Sequence, residues 1–263
     1  MSFQPILPLG GYAGWAFLTR TLDRQQAVFD KSPAMARDTD YFTAKIGEVD
    51  SAGALVADRR LLRVALGAFG LGDDIDSRHF IRTVLEDGST DTAALANKLS
   101  DKRYLKLAEA FGFGPGETRR TGQPGFAERI VAAYRNQRFE TAVGEQDTSL
   151  RLALNLEREL SDLAARGLND ASAWFSVMGS APLRQVFDTA FGLPDGFAAL
   201  DLDDQLSGYR AKAEQRFGSA EFAQFAQPER REELVRAYLL QAQVRQVDAT
   251  LSSARTALTL LGG

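Results

Sequence analysis

A chain of 263 residues with 44% hydrophobic and 25% charged side chains has ordinary globular composition, enough for one large domain or two lobes sharing a core. It contains no cysteine and a single histidine, His79, which excludes disulfides, thiolate metal sites, cysteine nucleophiles and any centre built on two imidazoles. A net charge of −4 excludes the basic footprint of a nucleic-acid binder.

Residues 1–19 carry no charge. The first positive side chain is Arg20, after the apolar stretch, so the positive start of a secretory signal is missing. Pro5, Pro8, Gly10 and Gly11 interrupt helix formation here. The stretch reads as an N-terminal arm with two fates. Either Phe3, Ile6, Leu7, Leu9 and Trp15 lie over the body, or the arm orders on a partner. Nothing approaches 18 consecutive apolar residues, so no membrane insertion is expected, and the cytoplasm is the default compartment.

Helix signals then follow one another. Ser32-Pro33 pairs a cap with the residue best tolerated at the first helical position, and opens a helix through Tyr41, Phe42 and Ile46. Ser51 caps a segment to about Phe69, in which Leu61, Leu62, Ala65, Leu66 and Phe69 form one helical stripe. Gly70 and Gly72 stop it. Asp76 or Ser77 begins a helix carrying Phe80, Ile81, Val84 and Leu85, and Gly88 ends it. Short helices are expected at about 92–99 and 101–111. Seven glycines and prolines between Gly112 and Gly125 mark the clearest loop.

Phe126, Ile130, Val131 and Tyr134 start a pattern that runs to about Arg166, weakened at Gly144. Within it Leu150, Leu152, Leu154 and Leu156 alternate as a strand would. No β-branched residue occurs between Leu150 and Arg166, however, and Glu157-Arg158-Glu159-Leu160 favours helix. Asp170 caps a helix with Trp174 and Phe175, and Pro182 opens another with Leu183, Val186, Phe187 and Phe191. Further helices are expected from about Asp203 to Phe217, over 220–225, and from Pro228 onward. No strand pattern or Asn-Gly turn is seen. The expected fold class is all-α, an irregular multi-helix array with one or two long helices.

Ala68-Phe69-Gly70-Leu71, Ala110-Phe111-Gly112-Phe113 and Ala190-Phe191-Gly192-Leu193 each end an apolar helix, with starts 42 and 80 residues apart. The glycine is expected in the left-handed conformation that closes a helix, while the flanking apolar residues clamp the chain to the core. Duplication of a helical unit and simple reuse of one stop signal both produce this, and the uneven spacing argues against a regular solenoid.

The reactive candidates are thin. Asp73, Asp74 and Asp76 lack the spacing of a calcium loop and read as helix-capping charge, as do Asp201, Asp203 and Asp204. His79 stands near Ser77 and Asp76, but no G-x-S-x-G elbow presents a serine. Gly112–Gly116 followed by Arg119-Arg120 lacks the Gly-Lys-Ser/Thr ending of a phosphate loop and reads as a mobile surface loop. No catalytic, cofactor-binding or metal-ligating residues are expected.

The C-terminal end is more informative. Leu240, Val244, Val247, Leu251, Ala254, Leu258 and Leu261 follow a 4-3-4-3-4-3 spacing, a heptad seam. It either folds back on the body or receives a partner helix, which includes self-association. The organisation expected is an arm at 1–19, a helical body at 20–247 with lobes at about 32–113 and 125–247, and a heptad tail at 248–263. Candidate partner contacts are Phe3, Ile6 and Leu7 on the arm, and Val244, Val247, Leu251, Leu258 and Leu261 on the seam.

The run Tyr41-Phe42, Ile46-Gly47, Ser51, Leu55, Asp58, Arg60-Leu61-Leu62 and Ala68-Phe69-Gly70-Leu71, with the later Leu99-Ser100-Asp101, Arg103-Tyr104 and Ala110-Phe111-Gly112-Phe113, resembles a bacterial family. This is the domain-of-unknown-function family 1217, seen mostly in alphaproteobacteria. The resemblance is strongest from about Asp38 to Phe113 and traceable to Leu240. It implies an all-helical fold, no known enzymatic activity and a place among flagellar genes, and it carries over no functional residue. The N-terminal pattern of true rod and hook proteins is missing here. The expected function is therefore non-enzymatic protein binding, as an accessory, structural or assembly factor of the bacterial flagellum. Its partners would be flagellar components or a second copy, and it would act in the cytoplasm or after export by the flagellar route. The alternative is an enzyme or ligand-binding module with carboxylates and arginines in an interhelical pocket, marked by an acid of displaced pKa.

Overall fold

The computed structural model describes residues 4–261, and the side chains of residues 4–247. Among the described residues the chain forms thirteen α-helices joined by loops and four short 3-10 turns, with no strand. It divides into two compact units, one made of Met1–Ile6 with Thr21–Ala142, the other of Leu7–Arg20 with Val143–Gly263. The first helix, α1 (Gly11–Asp30), therefore begins in the second unit and ends in the first.

That helix is the main departure from the sequence reading. The stretch expected as an arm is helical from Gly11 onward. Gly11, Gly14, Trp15, Leu18, Gln25 and Phe29 are buried, a spacing of three and four that puts them on one face. Of the breakers read in the sequence, Pro5, Pro8 and Gly10 lie before this helix and Gly11 opens it. Gly14 alone sits inside it, at a propensity cost of about 1 kcal/mol that the burial of Trp15 and Leu18 outweighs.

In the first unit α2 (Pro33–Lys45) opens at Ser32-Pro33 and buries Met35, Thr39 and Phe42. The single helix expected after Ser51 is two, α3 (Ala52–Ala57) and α4 (Arg59–Ala68). Asp58 divides them. Its Oδ1 accepts the backbone N–H groups of Arg60 at 2.9 Å and Leu61 at 3.1 Å, capping α4, while Oδ2 accepts the Tyr41 hydroxyl at 2.6 Å. Burial pushes the Asp58 carboxyl up, but these donors prevail and hold it below its ordinary value. Leu61, Leu62, Val64, Ala65 and Leu66 of α4 are buried, each large side chain contributing roughly 1.5–3 kcal/mol of transfer free energy.

The unit continues with α5 (Arg78–Asp87), α6 (Leu95–Lys98), α7 (Arg103–Phe111) and α8 (Phe126–Gly144). Val84, Ala96 and Ala108 form a small core that Phe80, Leu95, Leu99, Tyr104 and Leu105 cover. The acids before α5 do not cap it. Asp76 pairs with Arg59 at 2.6 Å, and Asp74 accepts the Tyr104 hydroxyl at 2.8 Å. Burial together with that carboxylate pushes the Tyr104 phenol up to about 12.

The loop between α7 and α8 is fastened. Glu117 Oε1 accepts the backbone N–H of Ser89 at 2.6 Å, its hydroxyl at 2.8 Å and the N–H of Thr90 at 3.0 Å. Thr121 donates to the Val49 carbonyl at 2.7 Å. Gly88 and Gly114 pass so closely that a Cβ on Gly88 would stand 2.7 Å from the Gly114 Cα. A reading from glycine content alone gives mobility. The side chains between the glycines supply the anchors instead.

The second unit holds α9 (Thr148–Ala165), α10 (Asp170–Gly179), α11 (Ala181–Phe191), α12 (Leu202–Phe217) and α13 (Pro228–Leu261). The alternating leucines of α9 are helical, and all four are buried. They need not share a narrow face, because α9 packs against both α11 and α13. Asn169, one residue before the expected cap, receives the Ser172 N–H at 2.9 Å. Asp170 instead takes Arg210 at 2.6 Å and the Phe222 N–H at 2.6 Å. At the centre, Trp174 meets Phe187, Phe222 and Phe225 edge-on, and its Nε1 donates to the Ala220 carbonyl at 3.2 Å.

The three Phe-Gly stops behave as their sequence requires. Gly70, Gly112 and Gly192 take φ of 71°, 64° and 65°, a region costly for any residue with a Cβ. Leu71 and Leu193 donate back five residues to the carbonyls of Leu66 and Asp188, the Schellman arrangement, while Gly112 closes α7 with one bond to Ala108. Leu71, Leu193, Phe111 and Phe191 are buried, and Phe69 is half-buried.

Candidate protein-binding interface

The last helix has two unlike faces. Leu234, Val235, Ala237, Tyr238 and Leu239 are buried where α13 packs on α9 and α11. Polar anchors hold this side in place. Arg231 reaches Glu157 Oε2 at 3.0 Å and the carbonyls of Phe225 and Ala226 at 3.1 and 2.9 Å, which closes the turn before α13. Glu232 accepts Trp15 Nε1 at 3.0 Å and the Tyr12 hydroxyl at 3.2 Å, joining α13 to the first turns of α1. The Arg236 guanidinium lies 5.4 Å from the Tyr12 ring centre. Further along, Arg245 donates to the Leu193 carbonyl at 3.1 Å, placing positive charge at the C-terminal end of α11.

Burial pushes the Glu157 carboxyl up, and the Arg231 guanidinium only partly offsets it. Neighbouring Glu232 adds to the upward push. Burial likewise raises Asp30 in the first unit, where Arg135 stands 4.0 Å away.

On the opposite side of α13, Leu240, Val244 and Val247 are 44%, 53% and 57% exposed. At 100° per residue they fall within a sector of about 60°, one continuous apolar strip. The seam positions expected at Val244 and Val247 thus stand in solvent. Phe3, Leu251, Leu258 and Leu261 lie outside the residues whose side chains are described. Ile6 is exposed, with its backbone N–H and carbonyl held by the Gln25 amide at 2.6 and 3.2 Å in the first unit. Leu7, assigned to the second unit, is half-buried. Sequence reasoning passed over Leu200 and Leu202, both exposed at the start of α12; the flanking Asp201, Asp203 and Asp204 make that stretch read as polar.

Two clefts are seen in the second unit. One of about 260 Å³ is lined by Leu163, Leu168, Asp170, Ala173 and Phe222, the other of about 290 Å³ by Gly10, Gly11, Asp147, Ser149 and Gln243. The aspartate of each is engaged in structure. Asp170 binds Arg210 and the Phe222 N–H, and Asp147 caps α9 through the N–H groups of Ser149 at 2.8 Å and Leu150 at 3.1 Å. Glu157 and Asp30, the acids that burial raises, line neither cleft. His79 sits exposed on α5 with Thr83 Oγ1 at 3.4 Å, and Asp76 beside it is taken by Arg59. Among the described residues no group of three His, Cys, Asp or Glu side chains is arranged to hold a metal ion, and no helix is long and apolar enough to cross a membrane.

The family model described as "Protein of unknown function (DUF1217)" matches residues 68–231. The match includes all three Phe-Gly stops and leaves the Tyr41–Leu62 part of the resemblance outside its limits. The X-ray crystal structure of protein AGR_C_984 from Agrobacterium tumefaciens, a structural genomics target, is similar over 92% of this chain and 99% of that one, at 27% identity and a TM-score of 0.72. No curated protein matches.

Proposed function

The chain belongs to the DUF1217 family, and we propose that it works by binding protein, as an accessory, structural or assembly factor, and not by turning over a substrate. One observation carries this reading. α13 is fastened to its unit by Arg231, Glu232 and Arg245 while Leu240, Val244 and Val247 on its other face stay in water. An apolar strip anchored from its other side and open to water is what a binding face needs, because less of the backbone has to order on association. The heptad spacing suits a helix as the occupant.

The family resemblance supplies the setting, flagellar assembly, with the cytoplasm as the place of action. Replacing the natural gene by one encoding Val244→Asp and Val247→Asp tests both parts. The variant protein is expected at normal level with an unchanged melting curve, and swimming is expected to fail as it does when the gene is deleted. A deletion strain that swims normally would remove the flagellar setting. A variant that works like the natural chain would remove α13 as the working surface. The rival reading, a small-ligand site, draws on Glu157 with Arg231 and Glu232, and would require a ligand that protects the protein from thermal unfolding in proportion to its concentration.

A further inference from the structure

We infer that the turn at residues 88–90, between α5 and α6, is a carboxylate-binding site that the chain fills with its own Glu117, so that the loop between α7 and α8 is a latch able to leave it. This site lies in the first unit and is independent of the open face of α13.

The donors of the turn are held without help from Glu117. Asn97 of α6 donates its Nδ2 to the carbonyls of Ser89 and Asp91 at 2.8 Å each, which fixes the shape of the turn. The acids on either side are bonded elsewhere. Asp87 Oδ2 accepts the Leu95 N–H at 3.3 Å, and Asp91 Oδ1 accepts that of Ala93 at 2.8 Å. The N–H groups of Ser89 and Thr90, which no backbone carbonyl takes, then converge with the Ser89 hydroxyl on one point. Glu117 Oε1 stands there, at 2.6, 3.0 and 2.8 Å respectively. Space for a carboxylate is built in as well. A Cβ on Gly88 would stand 2.8 Å from Glu117 Oε1, and one on Gly114 3.0 Å from its Cδ. Burial pushes the Glu117 carboxyl up, but the Ser89 and Thr90 donors prevail and hold it below its ordinary value, so the site holds the charged form at neutral pH.

The same contacts make the occupant exchangeable. No lysine or arginine pairs with Glu117 among the described residues, so two amides and a hydroxyl hold it alone. The turn follows the C-terminal end of α5, where the helix dipole opposes an anion. All three bonds fall on Oε1, while Oε2 is buried with no hydrogen-bond partner, a cost that the closed latch carries. Selection therefore rests on the placement of three donors and not on a positive field, which suits a carboxylate and not anions in general.

Hydrogen exchange of the Ser89 and Thr90 amides in the full chain reads the site directly. In Glu117→Ala that exchange should quicken by about 10- to 100-fold. Acetate matches the group this substitution removes. Sodium acetate at about 0.5 M should return most of the protection to the variant, and sodium chloride at the same strength should not. Neither salt should slow exchange in the natural chain, whose site is already filled. Trypsin cleavage after Arg119 and Arg120, both exposed on the loop, should rise in the variant and stay high in acetate, which fills the site without tying down the loop. Should the alanine chain fail to fold, Glu117→Gln keeps the volume and should quicken exchange at the same two amides by about 3-fold or more. Unchanged exchange in either variant would overturn the site, as would protection that acetate does not return or that both salts return alike. Unchanged cleavage in Glu117→Ala would overturn the latch.

Discussion

Each end of the chain carries a helix with an apolar stripe, and the two stripes meet opposite fates. On α1, Trp15 and Leu18 are 2% and 0% exposed, with the Trp15 indole N–H donated to Glu232. On α13, Leu240, Val244 and Val247 remain open although the same helix is anchored through Arg231, Glu232 and Arg245. The stripe of α1 stands beside a fitted acceptor, so its polar atom is satisfied as its rings leave water. The outer stripe of α13 meets no such surface among the described residues of its unit. Hydrophobicity alone does not separate covered from open apolar faces. What separates them is whether the fold already supplies the complementary surface.

Substitutions at the two ends should break this symmetry visibly. Trp15→Ala is expected to cost about 3–5 kcal/mol in urea unfolding, from a lost buried indole and an unpaired Glu232 oxygen. Trp15→Phe, which keeps most of the volume, should cost about 1–2 kcal/mol. A loss for Val244→Ser as large as that for Trp15→Ala would erase the distinction. The pH response should also belong to the anchored side. Burial holds the Glu157 carboxyl above its ordinary 4.5, so the folded chain binds that proton more tightly than the unfolded chain. Its contribution is present below pH 4.5 and is lost as pH rises through the folded value. Glu157→Gln should flatten that decline in a series of urea midpoints, and an unchanged slope would count against the assignment. The partner binding proposed for the open face, which lacks a titrating group among Leu240, Val244 and Val247, should stay level over the same window. Smallest of all, Val247→Ser should move stability by no more than about 0.5 kcal/mol, as expected where a side chain is already in water.

Much of the helix pattern was legible, because caps, stops and periodicity act over a few residues. Ser32-Pro33, the three Phe-Gly stops and the absence of β-branched residues between Leu150 and Arg166 each specify their local geometry. Legibility failed where a distant group decides the matter. Asp58 splits a helix because the Tyr41 hydroxyl is there to complete its bonding, and Asp170 leaves its cap to Asn169 because Arg210 and the Phe222 N–H claim it. The loop after α7 is held by Glu117 through Ser89 and Thr90, partners nearly thirty residues away.

The sequence by itself determined an all-α chain, the positions of its stops and the heptad seam at its end, since helical period and glycine conformation are local properties. Tertiary structure decided which apolar stripes are covered. It took the glycine-broken start of the chain into a helix sealed by Trp15 and Glu232, and it turned Leu240, Val244 and Val247 outward. Burial is a property of two surfaces, and a single segment specifies only one of them.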